Sequence, residues 1–181
     1  FIQAEPSLSQ PQVVALNPQS LSDVLDDIQH LGCVLNVEDR AHRYARALRS
    51  RVESVREQTS QIASSQRPGV ACIEWIEPLM LAANWTPELI EIAGGRCWPA
   101  EPGHSIYNAW ADVVRFDPSV VIVAPCGFDL DRTLHEAQQI LKWEGFSELS
   151  AAQSDRVYAL DGNAYLNRSG PRLVDSVEIL A

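Results

Sequence analysis

Between Glu38 and Gln66 the chain runs without a single Gly or Pro, and this stretch constrains the fold more than any other. Ala41, Tyr44, Ala45, Leu48, Val52, Val55 and Ile62 recur at a spacing that places them on one side of a helix. Arginines and glutamines cover the remainder, so the apolar seam is narrow. A continuous helix here would be roughly 40 Å long at 1.5 Å per residue, far beyond the ~11–12 residues of an average globular helix. Such a helix suits a strut along the side of a molecule or between two lobes. The competing reading is one half of a coiled coil.

The flanking segments supply the rest of the fold. QVVALNP (Gln12 to Pro18) reads as a short β-branched strand ended by Asn-Pro. Ser20 then caps a helix with apolar residues at Leu21, Val24, Leu25, Ile28 and Leu31, Asp23 completes a capping box, and Gly32 fits the C′ position. Arg67-Pro68-Gly69 breaks the long helix. After it come the strand VACIEW (Val70 to Trp75), a helix from Thr86 with Pro87 at its first position and a Gly94-Gly95 stop, and a Pro/Gly loop from Arg96 to His104. A helix near Asn108 to Phe116, the strand SVVIVAP (Ser119 to Pro125), a helix from Asp129 to Trp143, the strand RVYAL (Arg156 to Leu160) and a helix from Pro171 to Ala181 follow. Strands alternating with helices predict an α/β fold with a mainly parallel sheet flanked by helices. The chain divides into residues 1–35, the long helix over 36–67, and an α/β unit over 68–181.

Charge and composition exclude several function classes. The net charge is -10, and from Pro68 onward sixteen acids face seven bases. That surface repels phosphate backbones, so nucleic acid is not expected as a partner. Seven arginines between Arg40 and Arg67 read as the solvated face of the long helix. No run of ~20 apolar residues is present to span a membrane. The chain begins at Phe1 with no charged-then-apolar leader, as expected if a leader has been removed or if the sequence starts inside a longer protein. Cys33, Cys72, Cys97 and Cys126 lie too far apart for paired zinc ligands. GxGxxG, GxxxxGK[ST] and GxSxG are all absent.

The candidate chemistry gathers after the strands. In DGNAYLNRSGPR (Asp161 to Arg172) a turn presents Tyr165, then Asn167 and Arg168, and then Ser-Gly-Pro opens a helix. Ligands of α/β folds bind at this edge of the sheet. Trp75 ends one strand and Trp85 precedes the next helix, so Trp75, Trp85 and Tyr165 can converge on one face that suits a large, flat, partly apolar ligand. Trp110 and Trp143 fall within helical patterns and are assigned to packing. Cys126, in APCGFD just after a strand, would be the nucleophile of an enzyme only with a base such as His104 or His135 brought to it by folding.

Three segments carry a resemblance: IEWIEPLMLAANWTPELIEIAGG (Ile73 to Gly95), DPSVVIVAPCGFDLDRTLHEA (Asp117 to Ala137) and DRVYALDGNAYLNRSGPRLVDSVEILA (Asp155 to Ala181). They resemble the C-terminal lobe of cobalamin-binding proteins, substrate-binding components of ABC importers with the class III periplasmic-binding-protein fold. VVALNPQSLSDVLDDIQHLG (Val13 to Gly32) is similar to the end of their N-terminal lobe, and Glu38 to Gln66 to their interlobe helix. The resemblance implies a corrinoid such as vitamin B12 held in a cleft between two lobes, with no catalysis and no cofactor. Tyr165, Trp75 and Trp85 would line the cleft, with Asn167 and Arg168 bonding amide groups or the phosphate of the ligand's tail. It also implies a periplasmic or cell-surface location and delivery to a membrane subunit.

Two departures bear on that picture. Most of an N-terminal lobe is not in this sequence, so a half-cleft is expected to bind weakly unless the missing lobe or a second chain supplies the other wall. Relatives use a glutamate to dock on the membrane subunit; Ala111 occupies that slot here, so docking by this lobe is not expected unless Asp112 or Glu101 substitutes. The alternatives are a siderophore or haem carrier of the same fold, with His104 as an axial ligand, a cysteine-dependent enzyme built on Cys126, and an interaction module using the long helix.

Overall fold

A computed structural model describes residues 13–100 and 103–181. Glu101, a docking substitute, and Gln12 lie outside the described residues. The two leading helices form a hairpin: α1, Leu21–Val34, and α2, Glu38–Thr59. Ser20 caps α1 as expected, since the Asp23 amide donates to its hydroxyl at 3.1 Å and the Ser20 amide donates to the Asp23 carboxylate at 3.0 Å. The Gln19 amide adds a third bond at 2.9 Å, and these donors, Gln19 foremost, hold the Asp23 carboxyl below its ordinary pKa.

Two local expectations are corrected. Residues Val13–Pro18 are not a strand; among the described residues no neighbouring strand accepts their ladder bonds, and Val13 and Leu16 are exposed. Gly32 does not terminate α1 but lies inside it, where a Cβ would overlap the Cβ of Ala41 on α2. The hairpin crosses at that point because neither residue has bulk. The turn that follows is carried by Asn36 at φ 54° and by the Val37 amide bonding the Gly32 carbonyl at 2.8 Å.

The strut is shorter than its Gly- and Pro-free stretch. α2 has 22 residues, about 33 Å at 1.5 Å per residue, and ends at Thr59 instead of Gln66. The Thr59 hydroxyl donates to the Ile92 carbonyl at 2.7 Å, which ties the last turn to the next unit and lets the chain leave the helix. Ala41, Ala45, Leu48, Val52 and Val55 form the buried seam, whereas Tyr44 is exposed and Ile62 lies beyond the helix.

The remaining elements are β1 (Gly69–Trp75), β2 (Met80–Leu81), α3 (Thr86–Ile92), β3 (Arg96–Cys97), β4 (Ile106–Tyr107), α4 (Trp110–Phe116) and β5 (Val120–Val123). They continue with α5 (Leu130–Ala137), α6 (Ser150–Gln153), β6 (Val157–Ala159) and α7 (Leu173–Leu180). The expected helix from Asp129 to Trp143 is α5 followed by a tight turn at Ile140–Lys142. Asp129 caps it, accepting from the Arg132 amide at 2.9 Å.

The sheet has six strands in the order β4-β2-β1-β5-β6, with β3 also on β1. The β1–β3, β1–β5 and β5–β6 pairings are parallel, and β2 and β4 add an antiparallel edge. Its central strands are buried on both faces, as their unbroken apolar runs require. Side chains alternate: Val70, Cys72 and Ile122 join Leu48, Val52, Leu89 and Val177, while Ala71, Ile73, Val121 and Val123 join Val113, Ile140 and Phe146 on the other side. Trp110 and Trp143 pack edge to face at 4.9 Å against this second cluster. All four cysteines are free thiols; burial pushes the Cys97 thiol up to about 12, and Cys72 is raised for the same reason.

The arginine face of α2 is only partly a solvated surface. Arg49 pairs with Asp26 of α1, and Arg51 reaches α7, binding Asp175 at 2.6 Å and Glu178 through two bonds at 2.6 and 2.7 Å. The Arg51 guanidinium holds the Glu178 carboxyl below its ordinary range.

Two outcomes test these contacts. Gly32→Ala is expected to destabilise the fold by about 1–3 kcal/mol in urea melts through overpacking, with Ala41→Gly restoring part of the loss. A lowered Glu178 pKa means the Arg51 pair stabilises above the ordinary carboxylate range and ceases to do so as pH falls through it. Arg51→Gln should therefore cost about 1 kcal/mol or less at neutral pH, given the half-exposed side chains, and nothing once the carboxylates are protonated.

Candidate functional site

The ends of three parallel strands, and the long connection after the last of them, lie at the carboxyl edge of the sheet. β1 ends in Glu74 and Trp75, β5 runs into Ala124, Pro125 and Cys126, and β6 runs into the loop from Asp161. The parallel register of β1, β5 and β6 puts all three ends on the same side.

The loop after β6 is a wide helical turn, Gly162–Leu166. Asp161 starts it by accepting from the Ala164 amide at 2.7 Å, and the Asn167 amide closes it on the Gly162 carbonyl at 2.8 Å. Gly162 is required because a Cβ would stand 2.5 Å from the Pro125 carbonyl oxygen and 2.6 Å from that of Ala124. The turn thus lies directly on the end of β5. Asn167 secures it there, its amide nitrogen donating to the Ala124 carbonyl at 3.0 Å. From the other side Ser176 of α7 donates to the Tyr165 carbonyl.

Trp85 joins the same assembly. Its indole N–H donates to the Leu166 carbonyl at 2.7 Å, which sets the Trp85 ring beside the turn that carries Tyr165. Trp85 and Tyr165 are both half-buried. The Tyr165 hydroxyl has no hydrogen-bond partner among the described residues. Trp75 uses its indole N–H on the Glu77 carbonyl at 2.9 Å and meets Phe128 edge to face at 5.6 Å. With their indole N–H groups satisfied internally, the Trp75 and Trp85 rings have only apolar faces and edges left to offer a candidate platform.

Polar groups border that platform. Arg168 is exposed and is held by the Asn163 side-chain carbonyl through bonds of 2.7 and 3.1 Å. The Asn163 amide in turn donates to the Phe128 carbonyl at 3.1 Å, and the Arg132 guanidinium lies 3.7 Å over the Phe128 ring centre. On the other side Ser105 donates to Glu74 and accepts from the Ala83 amide at 3.2 Å. His104 sits exposed next to it, on the loop before β4. Phe128 and Arg132 carry no motif; the available signal was an aromatic in the loop after a central strand, where other site residues already clustered.

Cys126 is exposed, and no described side chain forms a hydrogen bond to its thiol; its amide bonds the Glu74 carbonyl at 3.0 Å. No group of three His, Cys, Asp or Glu residues is placed to hold a metal among the described residues. At the expected docking slot Ala111 is exposed on α4, and the neighbouring Asp112 is paired with Arg115 at 2.7 Å. No described helix is long and apolar enough to cross a membrane.

The model of a family described as periplasmic binding protein matches residues 6–164. A curated relative, an uncharacterized ABC transporter substrate-binding lipoprotein, YvrC, of Bacillus subtilis strain 168, is 23% identical over 166 residues, covering 90% of this chain and 50% of that protein. Two solved structures share the fold. The periplasmic vitamin B12 binding protein BtuF of Vibrio cholerae has a TM-score of 0.72 at 22% identity over 93% of this chain and 63% of that one. The periplasmic heme-binding protein RhuT of Roseiflexus sp. RS-1 has a TM-score of 0.73 at 23% identity over 90% and 62%. The chain spans about half the length of the curated relative it matches.

The tie between Trp85 and the turn is directly testable. Trp85→Phe keeps a ring but leaves the Leu166 carbonyl without its donor, at an expected cost of about 1–2 kcal/mol. Hydrogen exchange should then quicken selectively at the amides of residues 162–167.

Proposed function

The chain belongs to the periplasmic binding protein family, and from that premise we propose that it captures a cobalamin-like corrinoid for delivery to an ABC importer. The observation that carries this reading is the bond from Trp85 to the turn bearing Tyr165, which with Trp75 at the end of β1 would form an aromatic rim on one sheet edge. A broad, flat ring system buries apolar area on such a rim without needing deep enclosure, and a few bordering polar groups orient it. The likeness to a vitamin B12 binding fold supports the choice of ligand.

The task is capture and release, without catalysis or a resident cofactor. In this reading the described residues form one wall of a cleft, and the opposite wall comes from residues outside this sequence or from a second chain. Arg168 is aimed at the ligand's tail and edge. Asn167 contributes through the turn it pins to Ala124, with its side-chain oxygen left for a ligand amide. The setting is extracytoplasmic, and the partner is the importer's membrane subunit. With Ala111 in the usual docking slot, contact with that subunit falls to other surface acids such as Asp112.

A haem carrier is the second reading, favoured by the likeness to a heme-binding fold and by His104 exposed near the rim. A siderophore carrier would need more convergent arginines than the turn itself supplies.

Cobalamin and haemin titrated separately into the protein, followed by tryptophan quenching and by the Soret band, separate the readings. Cobalamin is expected to quench saturably, and Tyr165→Ala with Trp85→Ala should weaken it about tenfold or more, the loss of two ring contacts. A Soret shift abolished by His104→Ala, with no response to cobalamin, would establish the haem reading in its place.

A further inference from the structure

We propose that Glu74 is a specificity-determining residue of the rim: it selects ring ligands whose edge carries carboxamide N–H donors and excludes rings that carry carboxylates at the same place. The inference rests on the reading that a planar ligand covers the aromatic rim, and it adds a discrimination between amide and acid which that reading does not contain.

The first ground is the placement of the side chain. Ile73 lies opposite Leu81 and Trp75 opposite Met80, so β1 has one residue more than β2 over this stretch, and that residue is Glu74. An inserted residue of this kind bends a strand and re-aims a side chain, and such bulges recur beside functional sites. Here it falls at the carboxyl end of β1, next in the chain to Trp75. The Glu74 carboxylate accepts from the Ser105 hydroxyl, and that hydroxyl in turn accepts from the Ala83 amide at 3.2 Å. The carboxylate is thereby tied to the segment that leads into Trp85, two residues on from Ala83.

The second ground is uncommitted acceptor capacity in a half-buried place. Glu74 is half-buried. Among the described residues the Ser105 hydroxyl is its one side-chain partner, and it forms no ion pair. An ionised carboxylate has room for about four donors, so one hydroxyl leaves most of that capacity unused. A ligand that covers the carboxylate must supply donors of its own or leave a charged group unsatisfied, which costs more than losing a neutral bond.

The third ground is a matching acceptor on the next strand. The Ala124 amide donates to the Ile73 carbonyl at 2.9 Å and the Cys126 amide to the Glu74 carbonyl at 3.0 Å, so the ends of β1 and β5 are bonded side by side. Asn167 bonds the Ala124 carbonyl through its amide nitrogen and keeps its side-chain oxygen. A carboxylate and an amide oxygen at adjoining strand ends offer acceptors and no donor. Carboxamide NH2 groups on the edge of a ring satisfy such a border, whereas carboxylates bring no hydrogen and are repelled by the charge.

Dissociation constants of cobinamide, whose ring edge carries carboxamides, and of cobyrinic acid, the same ring with carboxylates, test the selection. Neither probe has the phosphodiester tail, and Arg168 is unchanged throughout. In the unaltered protein cobinamide is expected to bind more tightly. Glu74→Gln keeps the length and an acceptor for Ser105 but removes the charge, and should shrink the ratio of the two affinities about tenfold, chiefly by admitting the acid. A ratio that stays within about twofold of its original value, or a preference for the acid in the unaltered protein, overturns the role of Glu74 and leaves the aromatic platform standing. Should circular dichroism show that Glu74→Gln does not fold, Glu74→Asp decides: with the carboxylate drawn back by one methylene, cobinamide should weaken about threefold or more, and unchanged affinity overturns the role. If neither corrinoid binds the unaltered protein, the platform reading has failed and the selection falls with it.

Discussion

The site depends on one close approach, the seating of Gly162 against the carbonyl oxygens of Ala124 and Pro125. Any side chain there would push the turn off the end of β5. With the turn seated, Asn167 reaches the Ala124 carbonyl, Trp85 reaches the Leu166 carbonyl, and Ser176 reaches the Tyr165 carbonyl from below. Three separate elements are therefore fastened to the single turn that carries Tyr165, and Trp85 is one of them. Buried carbonyls in need of donors are the physical reason the arrangement is held.

The same economy of small residues governs the helical hairpin. Gly32 meets Ala41 where α1 crosses α2, and the close crossing brings Leu21, Val24 and Leu25 into one cluster with Leu48, Val52 and the sheet residues Val70 and Cys72. Arg51 then joins α2 to α7 through two carboxylates at the surface. The strut is thereby part of the wall behind the sheet, and the site stands on a scaffold packed from both faces.

Much of this was legible from local pattern. The capping box at Ser20 and Asp23, the apolar runs of β1 and β5, the Gly94-Gly95 stop and the turn at Asp161 each rest on interactions within a few residues. That the chain after β1, β5 and β6 emerges at one edge followed from the rule that parallel strands end on the same side. The end of α2 was not legible, because the hydrogen bond that lets it stop comes from the Thr59 hydroxyl to Ile92, a partner far along the chain. The segment Val13–Pro18 has the composition of a strand, but a strand forms only where another strand accepts its backbone bonds. Phe128 and Arg132 were missed because a cation stacked on a ring leaves no spacing in the sequence.

The sequence by itself determined the class of fold, the order of the longer strands and helices after Pro68, and the residue types at the sheet edge, since these depend on periodicity and on short-range backbone chemistry; the two-residue strands β2, β3 and β4 leave no such pattern. Tertiary structure alone decided where the strut stops, that Gly32 is a crossing point and not a helix end, and that two arginines share one bridge across Phe128 and Asn163. Those outcomes turn on contacts between residues remote in the chain, whose distances no local pattern encodes.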